Sequence, residues 1–84
     1  MITIEIFGPG CRRCRATAQA VRQAVQKAGI EATITEIHDP REMAQARVVF
    51  TPAVRVNGVM RCLGRVPEAV EVAEWLAETG GKAA

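Results

Sequence analysis

A chain of 84 residues has room for one hydrophobic core, and 49% hydrophobic with 24% charged residues is the balance of a single compact domain over residues 1–84 rather than of a disordered or fibrous chain. Eleven basic against nine acidic residues leave a scattered net charge of +2, which speaks against nucleic acid, and no apolar run is long enough for a bilayer. The strand pattern starts at Met1, so no leader is expected, the expected address is the cytosol, and three cysteines in that reducing compartment point to redox or metal chemistry rather than a disulfide framework.

Ile2, Ile4 and Ile6 alternate with Thr3 and Glu5 and lead into Phe7, the pattern of a strand, which Gly8, Pro9 and Gly10 break. From Cys11 the stripe Cys14, Ala18, Val21, Val25 and Ala28 predicts an amphipathic helix ended by Gly29. Glu31 to Ile37 is rich in β-branched residues and reads as a second strand, parallel to the first across the helical crossover. Asp39, Pro40 and Glu42 have the order of an N-cap, a first-turn proline and a capping-box acid, which predicts a short helix to about Arg47 with Met43 and Ala46 on its apolar face. After Thr51 and Pro52, the runs Ala53–Val56 and Val59–Leu63 flank Asn57-Gly58, the strongest short hairpin signal. The segment from Pro67 predicts a last helix with Glu68 and Glu71 early and Val70, Ala73 and Leu76 facing inward; Gly80 and Gly81 follow its end, and a frayed tail follows them. The order is βαβαββα, an α/β fold with a four-stranded mixed sheet and helices on both faces, which resembles the minimal thioredoxin-like arrangement.

Cys11 and Cys14 lie three apart at a helix start, a spacing that a disulfide bridges with little backbone movement. The first thiol meets the unpaired N–H groups and positive dipole end of the helix, which favour the thiolate, so Cys11 is the expected nucleophile. Arg12 and Arg13 within the motif, followed by Arg15, are expected to lower its pKa further. Cys14 begins the apolar stripe and suits a resolving thiol. The alternative, two inert core cysteines, fits poorly with a turn of glycines and arginines.

GPGCRRC after the first strand, FTPAVRVNG before the hairpin and LGRVP before the last helix resemble the small prokaryotic redox-active disulfide proteins, glutaredoxin-sized members of the thioredoxin superfamily. The resemblance covers nearly the whole chain. It implies thiol–disulfide exchange without a cofactor or metal, acting as a monomer on protein disulfides and recharged by a thioredoxin-reductase-like electron donor. It also implies that Pro52 is a cis-proline facing the dithiol and that Thr51 offers its backbone to an extended substrate segment. Two features of the better-known branches are absent: Trp75, the single tryptophan, is far from the cysteines in sequence, and Leu63, Gly64, Arg65 and Val66 stand where glutaredoxins hold glutathione.

Two rival readings stay open on sequence. Soft-metal chaperone modules also place CxxC between a first strand and a first helix, although their order is βαββαβ, and a redox sensor without turnover needs the same dithiol. Cys62 reads as a small core residue and His38 as a solvated loop residue without a catalytic role. Glu5, six residues before Cys11, stands where thioredoxins keep a buried acid, and is expected either to shuttle the resolving thiol's proton or to reach solvent.

Overall fold

The computed structural model of the protein describes residues 2–81. The elements run β1 (Ile2–Phe7), α1 (Arg12–Ala28), β2 (Ala32–Ile37), α2 (Pro40–Gln45), β3 (Ala53–Val56), β4 (Val59–Leu63) and α3 (Ala69–Leu76), and one π-type turn, Ala77–Gly81, closes them. The sheet order is β2-β1-β3-β4. Strands β1 and β2 pair in parallel with Phe7 opposite Ile37, while β3 pairs antiparallel with both β1 and β4. This is the mixed sheet expected from the element order, with the crossover helix returning the chain to a parallel neighbour.

Alternation along β1 sorts its side chains onto two faces. Ile2, Ile4 and Ile6 join Val54, Val56 and Cys62 beneath Ala18, Val21 and Ala24 of α1 and Val72, Trp75 and Leu76 of α3. On the opposite face, Phe7, Ile37 and Ala53 form a smaller cluster covered by Met43 of α2 and by Ala46, the residue that caps its end. Asp39 caps α2 by accepting a hydrogen bond from Arg41 N at 2.9 Å, the local signal that the Asp-Pro pair announced. At the hairpin, Asn57 and Gly58 both take positive φ, 47° and 83°, as a two-residue turn matched to strand twist requires.

Two helix faces differ from those expected. In α1 the buried set is Cys14, Thr17, Ala18, Val21 and Ala24, whereas Ala28 is exposed; Thr17 tolerates burial because its hydroxyl donates to Arg13 O at 2.9 Å. In α3 the inward residues are Val72, Trp75 and Leu76, while Val70 is 61% exposed and Ala73 also faces outward. The spacing 72, 75, 76 puts the largest side chain, the indole, into the core, and hydrophobic area decides between two otherwise similar stripes. The helical path also continues through Ala77–Gly81 instead of stopping before Gly80. The expected frayed tail beyond Gly81 lies outside the described residues. No helix among the described residues is long and apolar enough to cross a membrane.

Candidate active site

Parallel pairing sends the loops after β1 and β2 out at the same edge of the sheet, and the β3 entry meets them there because β3 runs antiparallel to β1. Cys11 is the N-cap of α1, exposed, and Cys14 lies one turn in, 2% exposed. Their sulfurs are 3.4 Å apart, a thiol hydrogen-bond contact, and need approach only to about 2 Å to form a disulfide. The sequence separation of three thus becomes an asymmetric pair: one sulfur in solvent, one under cover.

The two thiols are shifted in opposite directions. Cys11 is held below the ordinary thiol range, first by the backbone N–H of Cys14, then by the Cys14 S–H, with the Arg13 N–H assisting. These are the unpaired donors of a helix start, so the anion sits where the helix has hydrogen bonds to give. Cys14 is pushed up, chiefly by burial and then by its hydrogen bond with Cys11, while backbone N–H groups of Gly10 and Cys11 act in the opposite sense. Among the causes that lower Cys11, Arg13 figures through its backbone N–H, and neither the Arg12 nor the Arg13 guanidinium figures, although tuning by those cations was expected. The Arg13 guanidinium instead donates to Gly64 O at 2.7 Å.

Glu5 is committed to a partner that neither of its two expected roles included. Its carboxylate accepts a hydrogen bond from Arg55 Nε at 2.6 Å, and the Arg55 guanidinium stacks over Phe7, 5.0 Å from the ring centroid. Glu5 shares a shallow polar hollow with Phe7, Ile37, Glu42 and Ala46 beside α2, the face of the sheet opposite to α1. A carboxylate committed to an arginine on that face is a cross-strand pair of β1 and β3, and it figures in the shift of neither thiol of the pair.

The Thr51–Pro52 peptide is cis, and Pro52 is buried. Gly8 locates Thr51 against the pair: a Cβ placed on Gly8 would collide with Cys14 Sγ and would lie 3.8 Å from Thr51 Cβ. Pro52 O accepts from Gly64 N at 2.9 Å, so the proline loop is linked through Gly64 to Arg13 inside the cysteine motif. No hydrogen bond is made by the Thr51 backbone N–H or C=O among the described residues, leaving both open at the site edge. Val49 and Phe50, 77% and 64% exposed, lead into Thr51 as an apolar shoulder.

Sequence reasoning did not single out Gly8 as the seat of a sulfur or His38 as a neighbour of the site. His38 Nδ1 lies 2.7 Å from Gly8 O. The signal was the parallel register: with Phe7 opposite Ile37, the next residues, Gly8 and His38, are adjacent. Cys62 is buried, as expected of a core residue, and its S–H donates to Arg65 O at 3.2 Å.

Residues 2–77 match the family model for the thioredoxin domain. A thioredoxin of Methanocaldococcus jannaschii is 38% identical over 76 residues, spanning 90% of this chain and 87% of that protein. A thioredoxin of Methanothermobacter thermautotrophicus is 31% identical over 72 residues, spanning 86% of this chain and 94% of that one.

Proposed function

The chain belongs to the thioredoxin family, and on that premise we propose that it is a dithiol–disulfide oxidoreductase in which Cys11 attacks and Cys14 resolves. The observation that carries this is the pair itself: an exposed sulfur at a helix N-terminus, lowered in pKa, 3.4 Å from a buried one that is raised. The Cys11 thiolate attacks one sulfur of a substrate disulfide, forming a mixed disulfide and releasing the other substrate sulfur as thiolate. Cys14 then gives up its proton, which the departing thiolate accepts, and attacks Cys11 Sγ. The mixed bond breaks, the second substrate thiol leaves, and the Cys11–Cys14 disulfide holds the two electrons' worth of oxidation. Glu5 is not used as the base, since its carboxylate serves Arg55.

Protein disulfides are the substrates we assign, with a thioredoxin-reductase-like donor restoring the dithiol, in the reducing cytosol and with one domain acting as a monomer. Thr51 supports this choice: its unpaired backbone N–H and C=O suit main-chain pairing with an extended segment, and Phe50 gives that segment apolar contact. The element order βαβαββα, rather than βαββαβ, weighs against the soft-metal chaperone reading.

Insulin reduction with dithiothreitol as donor tests the proposal. Cys11→Ser is expected to lose turnover entirely and trap nothing. Cys14→Ser is expected to stop at a mixed disulfide visible on non-reducing gels. Full activity of Cys11→Ser, or equal trapping by both variants, overturns it.

A further inference from the structure

The loop Gly8-Pro9-Gly10 meets the resolving sulfur twice. Gly8 has no Cβ, and one placed there would run into Cys14 Sγ, so the bare Cα is the seat on which that sulfur rests. The backbone N–H of Gly10 also acts on the same sulfur, favouring its thiolate. The loop therefore needs a fixed position, because a seat without clearance passes any displacement directly to the sulfur.

On its sheet side the loop is held by Gly8 N–H, which donates to Ile37 O at 3.0 Å. Its other anchor is a side chain. His38 Nδ1 is 2.7 Å from Gly8 O, and since a carbonyl only accepts, Nδ1 carries the hydrogen. The same ring lies under Gly10, with Cε1 3.6 Å from the place a Cβ would occupy there. Its far edge faces Glu36, Nε2 to Oε1 3.9 Å, and the second Glu36 oxygen accepts from Arg22 at 2.8 Å. A chain of contacts thus runs from Arg22 through Glu36 and His38 to Gly8 and ends on Cys14 Sγ.

We propose that His38 is a positioning residue for the resolving step: it pins the Gly8–Gly10 loop so that Cys14 Sγ is held in line with the sulfur of Cys11. The inference rests on the dithiol reading above. It separates the two halves of the exchange, because the donors that serve Cys11 lie within α1 and its cap, whereas the hydrogen bond of His38 goes to Gly8.

The test is stopped-flow reaction of the reduced protein with 5,5′-dithiobis(2-nitrobenzoate). Cys11 attacks the reagent, forming a mixed disulfide and releasing one thionitrobenzoate. Cys14 then loses its proton to solvent and attacks Cys11 Sγ, releasing the second and closing the internal disulfide. His38→Leu, which fills the space without a donor, is expected to slow the second release about fivefold, the worth of roughly one hydrogen bond, and to leave the first within about twofold. His38→Asn places an amide N–H at the same reach and is expected to recover most of that loss. The His38 side chain is 53% exposed, so neither change removes core packing. An unchanged second release in His38→Leu, equal slowing of both releases, or His38→Asn behaving as His38→Leu overturns the proposal. If the wild-type protein releases one equivalent and closes no internal disulfide, the dithiol reading falls, and this proposal falls with it.

Discussion

The dithiol stands between a rim and a floor built on different terms. The rim, Cys11, Arg12, Arg13, Phe50 and Thr51, is largely open to solvent, and its side chains make few commitments beyond the Arg13 hydrogen bond to Gly64 O. The floor, Gly8, Ile37, Cys14, Pro52 and Ala53, is buried throughout, and at Gly8 it lacks room for one methyl group. Two cysteines three residues apart therefore meet different solvents. The open one gains helix-start hydrogen bonds that stabilise its anion, while the covered one loses hydration and keeps its proton. Order of reaction follows from burial, and the rim should tolerate change that the floor does not.

Gly8→Ala should break the floor and has the largest expected effect on stability. Gly8 is not among the glycines with positive φ, so its backbone suits alanine and the cost comes from the collision with Cys14 Sγ alone. Overpacking of this kind costs about 1–3 kcal/mol, to be read from urea unfolding of the reduced protein. A change below about 0.5 kcal/mol would mean that the sulfur moves aside freely and the floor is not tight.

The next effect separates the two thiols by pH. A lowered pKa means that the Cys11 thiolate persists above that lowered value and is lost as pH falls through it. A raised one means that Cys14 gains its thiolate only at pH above the ordinary thiol range. Alkylation by iodoacetamide, followed by mass spectrometry of Cys14→Ser and Cys11→Ser, should give two rate profiles displaced in those directions from an unfolded cysteine peptide. Coincident profiles would erase the difference between rim and floor at its chemical root.

What was legible in the sequence was local. Alternation in Ile2, Ile4 and Ile6, the Asn57-Gly58 turn, the Asp39-Pro40 cap and the Cys11/Cys14 spacing each carry their signal within a few residues, and the corresponding elements stand where expected. The α3 face was misassigned because Val70, Ala73, Leu76 and Val72, Trp75, Leu76 are both plausible helical stripes, and only the partner surface across α1 decides between them. The floor was invisible for a related reason. Gly8 reads as a turn breaker until Cys14 is brought against it by the helix, and His38 reads as solvated until parallel register sets it beside Gly8. Glu5 was read by its position before Cys11, whereas its partner, Arg55, is 50 residues away in sequence.

The smallest expected effect is at the rim, and it bears on what lowers the Cys11 thiol. Sequence alone favoured Arg12 and Arg13, since two fixed cations inside the motif are the obvious source of a positive potential. The structure shows the Arg13 guanidinium turned to Gly64 O at 2.7 Å and Arg12 exposed. Exposed charges are damped by solvent and by salt over about 8 Å, whereas the backbone N–H groups of Cys14 and Arg13 at the helix start are what favour the anion. Arg12→Gln and Arg13→Gln should therefore each change the alkylation rate of Cys11 at neutral pH by less than about twofold. Raising the salt concentration should leave the wild-type rate similarly unmoved, because a hydrogen bond from the backbone is not screened as a distant charge is. A tenfold fall in either variant, relieved by neither salt nor a return of lysine, would assign the thiolate to the guanidinium group and make the rim as exacting as the floor.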